Sequence, residues 1–165
     1  MGNDLLLVIR WWGTLFLVGT AAYPLTRIIF PKFANHGYIF SKAVGLAAIT
    51  WLVYVLGMLK LLPFSFFSIW ICLAGVFVLG LWTALWNPQK KQLQIKSLVI
   101  DEAIFFVALL LWAWIKSHEP SIQGLEKFMD YGFMKSIMES RFFPPADMWY
   151  AGFPINYYYF GHLAT

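Results

Sequence analysis

Apolar runs long enough to cross a bilayer, separated by short joints, fill the first two thirds of the chain. A spanning helix needs about 20 predominantly apolar residues, and four stretches qualify: 5–26, 43–59, 64–86 and 98–115. Polar residues fall where helices would end. Arg27 follows the first run, Lys42 and Lys60 bracket the second, Pro63 opens the third, and Asp101 and Glu102 stand at the start of the fourth. Arg10 is close enough to the start of its run to extend its head toward lipid headgroups. With Ser97 as a cap, Asp101 and Glu102 would complement the helix dipole and face water or Lys96; the alternative is a polar role inside the bundle.

After Lys116 the period changes. Leu125, Met129, Phe133 and Ile137 recur every four residues with Phe128 beside them, and Lys127, Tyr131, Lys135 and Glu139 form the opposite stripe. This predicts an amphipathic helix over 124–140, too short and too charged to span and suited to a membrane surface. Pro144 and Pro145 end it, a loop with Gly152 runs to Pro154, and a new apolar helix is expected from about Ile155 to Thr165. The predicted fold is all-α and integral to the membrane. It comprises four transmembrane helices, a surface helix and the start of a fifth membrane helix, in a single domain over 1–165 that is incomplete at its last helix. The sequence shows no internal repeat and no low-complexity linker.

The joints set an orientation. Arg27, Lys32 and Lys42 lie in the first joint without an acid, and Lys90, Lys91 and Lys96 lie in the third. Two helices separate these joints, so they share a side. The positive-inside rule makes that side cytoplasmic and leaves the N-terminus and the loop 116–154 outside. The expected location is the plasma membrane of a prokaryote.

Composition agrees. The chain is 61% hydrophobic, 20% aromatic and 12% charged, which is membrane-like rather than soluble. Its net charge of +4 is spread over the joints and forms no basic stripe, so no nucleic-acid partner is implied. Cys72 lies inside an apolar run and has no partner for a disulfide or a zinc site. The start Met1-Gly2-Asn3-Asp4 lacks the cationic region of a signal peptide, and Leu6 stands where a myristoylation motif needs Ser or Thr. Zinc spacing, a Ser-His-Asp order, a Walker loop and a GxGxxG motif are all missing from the sequence. Gly45, Gly57, Gly75 and Gly80 are expected to serve helix packing.

The candidate chemistry collects at the end of the chain. Glu126 and Asp130 are four positions apart and would project from one edge of the surface helix. Carboxylates there could hold a cation on a lipid phosphate or deprotonate an acceptor hydroxyl; equally, they could be solvated acids beside Lys127 and Lys135. Asp147 is either a ligand-binding acid or a turn former. On the expected last helix, Tyr158 and His162 are four apart and Asn156 and Tyr159 three apart, an aromatic and hydrogen-bonding face rather than a plain interfacial belt.

The segment Gly124-Leu125-Glu126-Lys127-Phe128-Met129-Asp130, then Phe143 to Trp149, Ala151-Gly152 and Ile155 to His162, resembles an uncharacterised multi-spanning membrane family with a triple-tyrosine (YYY) signature. The residues Pro24 to Arg27 and His36 to Lys42 resemble its first joint. More distantly, a surface-helix acid followed by Glu139-Ser140-Arg141, a proline loop and an aromatic helix is similar to the first outer loop of the GT-C membrane glycosyltransferases. Here that loop follows the fourth helix, whereas those enzymes commonly place it after their first. The resemblance implies transfer of sugar from a polyprenyl-phosphate carrier on the outer face. It assigns Asp130, and less closely Glu126, to base or metal-ligand roles, with Mg or Mn as the cation. Lys135 and Arg141 would meet the carrier phosphate, and Asp147, Asn156, Tyr158, Tyr159 and His162 would line the carrier site. Partners are then the bilayer and a lipid-linked sugar. The alternative function is a non-catalytic membrane subunit or transporter component whose outer loop docks a partner.

The orientation is testable with single cysteines in a Cys72→Ala background. Ser121→Cys should react with an impermeant thiol reagent on intact cells and Gln89→Cys should not; the opposite pattern inverts the topology.

Overall fold

The computed structural model describes residues 2–86, 94–118, 121 and 126–164. Among these, the helices in chain order are α1 (Gly2–Ile29), α2 (Ser41–Met58), α3 (Phe66–Trp86), α4 (Ile95–Ser117), α5 (Lys127–Glu139) and α6 (Phe160–Leu163), with a short 3-10 segment, Ala34–Phe40, before α2. The described residues contain no strand, and α1 to α4 are each long and apolar enough to cross a membrane. The fold is therefore all-α with four candidate spans, as the hydrophobic pattern predicts. Helices α1 and α4 overrun their apolar runs at both ends because backbone hydrogen bonding continues into flanks that a hydropathy window excludes, whereas α3 starts two residues inside its run. This matters most in α4. Its cap position is Gln94, so Ser97 is not the cap, and Asp101 and Glu102 lie beyond the first turn. The basic joint around Asn87 to Lys91, and Gly124 and Leu125 of the expected surface helix, lie outside the described residues.

The chain forms two compact units, Met1–Leu46 with Ala74–Pro120, and Ala47–Leu73 with Ser121–Thr165. In the first, the link after α1 is unusual. Asn35, His36 and Gly37 are buried and all left-handed, with φ of 45°, 52° and 75°. Such a conformation costs a non-glycine residue roughly 1–2 kcal/mol, so surrounding contacts must hold it. The Tyr23 hydroxyl donates to Asn35 O at 3.0 Å, and the rings of Phe30, Phe33 and Phe40 pack together at centroid distances of 4.8–5.5 Å. A Cβ at position 37 would lie 2.6 Å from Phe30 Cβ, so only glycine fits. Small residues also let α1 and α2 approach: a Cβ at Gly45 would come within 2.8 Å of Val18 O.

The polar centre of this unit is Glu102. Its carboxylate accepts from Trp12 Nε1 at 2.7 Å, Tyr38 OH at 2.7 Å and Lys42 Nζ at 2.5 Å. The Lys42 and Glu102 side chains are only 11% and 14% exposed. Lys42 also lies over the rings of Phe105 (4.6 Å) and Tyr38 (5.1 Å). Beside it, Asn35 Nδ2 reaches Asp101 at 3.4 Å.

The second unit is built on the turn between α2 and α3. Lys60 closes α2 in the left-handed conformation, with its N–H on Gly57 O at 3.1 Å and the Leu61 N–H on Leu56 O at 2.9 Å, a Schellman closure without the usual glycine. Ser65 opens α3 by accepting from the Ser68 N–H at 3.2 Å. Onto this turn the distal loop is fastened. Phe64 N donates to Arg141 O at 2.7 Å, and the Phe143 ring, 2% exposed, fills the notch left by Gly57. Tyr54, Phe64 and Tyr159 surround that ring at 6.3, 5.4 and 6.2 Å.

The expected helix from Ile155 is corrected: helix begins at Phe160. Ile155 N bonds Pro145 O at 2.9 Å, and Ala146 and Pro154 form an antiparallel bridge, so the backbone here is committed to the loop. Tyr159 is buried against Tyr54 and Phe143, which fixes the chain before helix can start. Helical spacing therefore does not apply to 155–159. Helix α5 buries Phe133 and Ile137, leaving Phe128, Tyr131 and Met138 exposed. Its Gly132 makes room for Met148, whose Sδ would overlap a Cβ there, and Ser136 Oγ donates to Ala146 O.

Two stability predictions follow from these contacts. Gly57→Ala, with its new methyl 2.5 Å from a pinned Phe143 ring, should cost about 1–3 kcal/mol by overpacking. Gly75 is not the helix-packing position expected from the sequence, since an added Cβ meets nothing within 4 Å; Gly75→Ala should be neutral or stabilising by up to about 1 kcal/mol from helix propensity. Thermal unfolding in detergent compares them. Glu102→Ala and Lys42→Ala should each cost about 3–5 kcal/mol by stranding the other charge, and Lys42→Met with Glu102→Leu should cost less than the sum of the single changes, measured by the same melts.

Candidate functional site

The side chains that α5 and the last turn bring together are Asp130 and His162. Asp130 lies in the first turn of α5, with its N–H on Glu126 O at 2.9 Å. His162 sits on α6, and its Nε2 is 2.9 Å from Asp130 Oδ1. The His162 side chain is 16% exposed, while that of Asp130 is 43% exposed and open to solvent. The Phe133 ring holds the imidazole edge-on at 5.4 Å and packs at 5.7 Å against Tyr157. The aromatic wall thus fixes the imidazole, and the imidazole fixes one carboxylate oxygen. This leaves Oδ2 for another partner, the arrangement a positioned base requires.

Other predicted residues take varied places. Glu126 occupies the cap position of α5, where a carboxylate favours the positive end of the helix dipole, and it is exposed. Tyr157 donates to the Tyr158 hydroxyl at 2.8 Å. That bond raises the Tyr157 pKa first, followed by desolvation and the negative fields of Tyr158, Glu126 and Asp130. Both acids therefore act on the same tyrosine. Tyr158 is 70% exposed and Asn156 is also exposed. Tyr159 is interior instead, with its hydroxyl 3.8 Å from Met58 Sδ and its pKa raised by burial and then by Tyr54.

Asp147 Oδ1 accepts from the N–H groups of Trp149 at 2.8 Å and Tyr150 at 3.0 Å, the bonding of a turn-forming aspartate. Lys135 reaches Glu139 only loosely, at 3.9 Å with both side chains exposed. Arg141 lies 5.5 Å over the Phe142 ring. No three His, Cys, Asp or Glu side chains gather into a metal-binding group among the described residues.

Glu102 takes the alternative role, a polar one among the helices, and not that of a first-turn acid facing water; the identity of its partners is what residue spacing alone misses. An acid inside an apolar run, with no water to solvate it, demands a partner. Lys42 is the cation at the corresponding edge of a neighbouring run, and Trp12 and Tyr38 are amphipathic donors. A helix start at residue 98 puts Glu102 near the first turn, within reach of water; the observed start at Ile95 carries it beyond that turn.

No curated protein and no solved structure matches the chain. Residues 48–165 match the family described as "Uncharacterized membrane protein (DUF2298)". The matched segment takes in α3 to α6 with Asp130, His162 and the loop between them. With four membrane-length helices and this match over more than half its length, the chain is an integral membrane protein and belongs to the DUF2298 family.

Proposed function

We propose that this chain carries the carrier-facing site of a GT-C-like glycosyltransferase, transferring sugar from a polyprenyl phosphate on the outer face of a prokaryotic plasma membrane. The observation that supports this reading is the Asp130–His162 contact at 2.9 Å beside a carboxylate that is still open to solvent. In the proposed step the bond between the sugar's anomeric carbon and the carrier phosphate oxygen breaks. A bond to the acceptor oxygen forms, and the acceptor proton passes to Asp130. The phosphate leaves on its lipid. His162 holds Asp130 Oδ1, so Oδ2 faces the acceptor. Lys135 and Arg141 are the cations proposed for the phosphate. Asn156 and Tyr158 line the carrier, Tyr159 supports them from the interior, and the turn held by Asp147 shapes the rim. Glu126 assists Asp130 through the field both exert on Tyr157.

In the alternative version of this step Asp130 Oδ2 would hold a Mg or Mn ion instead of taking the acceptor proton, and the phosphate oxygens would complete its shell, the mode such ions use with phosphorylated substrates. When bound it would neutralise charge on the leaving phosphate. In the proposed orientation the N-terminus and residues 116–154 are extracytoplasmic, with α5 at the interface. Exposed Trp149 and Tyr150, at 65% and 64%, favour the second reading, a subunit or transporter component whose loop docks a partner.

Transfer of labelled sugar from polyprenyl-phosphate donors, in membranes expressing the full reading frame, tests the proposal. Asp130→Asn should lower activity at least about a hundredfold, the scale of losing a positioned proton acceptor, with membrane insertion unchanged. Glu126→Gln should cost less, and Tyr158→Phe should mainly raise KM for the carrier. Activity equal to wild type in Asp130→Asn removes Asp130 from the chemistry, and failure to consume any carrier-linked sugar leaves the docking function in its place.

A further inference from the structure

The first unit contains an open cavity of about 630 Å³ that the transferase reading does not use. Its volume falls within the usual range of ligand sites, roughly 300–1,000 Å³. Nine of its ten lining residues lie on the membrane-length helices α1 and α4, and the tenth, Tyr38, comes from the strained Ala34–Phe40 link. With α1 and α4 placed in a bilayer as spans, the medium outside them is hydrocarbon, and a gap left empty there would lose dispersion contacts along its whole lining.

The polar groups around this cavity decide what can fill it. Trp12 Nε1 and Tyr38 OH are both spent on Glu102. Thr20 Oγ1 is spent on Phe16 O at 2.8 Å, and Tyr23 OH on Asn35 O at 3.0 Å. Glu102 itself already accepts from three donors, one of them the Lys42 ammonium. Each polar side chain in the lining is thus bonded within the protein, and the faces left toward the cavity are rings and alkyl groups. A headgroup, a sugar or an ion would lose its own hydration here and find no free donor in return. An alkyl chain loses nothing.

We infer that this cavity holds one acyl chain of a bilayer phospholipid, seated between the aromatic residues of α1 and the Val99–Phe106 face of α4. The site is independent of the Asp130–His162 chemistry. Because the chain comes from hydrocarbon and not from water, shape and dispersion select it, with no hydrophobic transfer energy. Occupancy is therefore a matter of enrichment over ordinary lipid contact.

Photolabelling of the purified full chain in phosphatidylcholine vesicles, doped with a phosphatidylcholine carrying a mid-chain diazirine, reads that enrichment. Adducts mapped by peptide mass spectrometry should concentrate on Phe16, Val99 and Phe106 at least about fivefold over Trp112, which is 61% exposed elsewhere on α4. Ala103→Trp, which puts an indole into the lining, should remove the label from Phe106 and leave Trp112 labelled as before. The Trp112 label reports that α4 is still inserted in the bilayer, and a melting temperature in detergent equal to wild type reports that the variant is folded. Equal labelling of all four positions, or labelling of Phe106 that survives Ala103→Trp, overturns the inference. So does rapid disulfide dimerisation of Ala103→Cys in a Cys72→Ala background, which would make a second copy of the chain the occupant.

Discussion

A carboxylate within a membrane-length helix has no water to turn to, and the first unit is organised around meeting that need. Glu102 draws a donor from α1 (Trp12), one from the left-handed link (Tyr38) and the ammonium at the start of α2 (Lys42). One side chain thereby ties together elements that would otherwise meet only through apolar contact, which in hydrocarbon gives little directional preference. The strained turn at Asn35 to Gly37 belongs to the same arrangement. Its cost is offset by the contacts that aim Tyr38 at Glu102 and Asn35 toward Asp101. Polar satisfaction, more than hydrophobic burial, specifies how these helices are registered.

The second unit solves a different problem, that of holding a loop with many exposed rings in one conformation. It does so with an aromatic interior. Phe143 sits in the Gly57 notch among Tyr54, Phe64 and Tyr159, and Phe133 gathers Trp149, Tyr157 and His162. Rings suit this role because each brings a large contact area with few torsions to freeze. Asp130 and His162 meet because Phe133 and its neighbours leave the imidazole few other orientations.

The four spans were legible because runs of apolar residues between cationic joints have few other physical solutions. Helix α5 was legible from its period of nearly four residues, and the buried pair Phe133 and Ile137 lies on the apolar stripe. What spacing could not supply was contact between distant residues. Asp130 and His162 were each singled out, but periodicity relates only residues on the same element. The segment 155–159 misled for a related reason. Its tyrosines fit a helical face, whereas the Ile155 N–H is bonded to Pro145 O and Tyr159 is buried, which keeps this backbone in the loop until Phe160. Gly57 does not serve the helix packing expected of it: the side chain that fills its notch is a loop phenylalanine, Phe143, and not one from a membrane helix.

The Gly57 notch also has a consequence for the order in which the protein is made. The turn between α2 and α3 leaves the ribosome well before Phe143 does, with its Schellman closure and Ser65 cap formed entirely from local residues. None of the bonds that close this turn needs α4, α5 or the distal loop, so the notch can form before Phe143 is made. When Phe143 arrives it meets a receptor shaped by an earlier segment of its own chain. The loop thus docks onto a finished template late in biosynthesis, and interference with the α2–α3 turn would be felt first as a loop without an address.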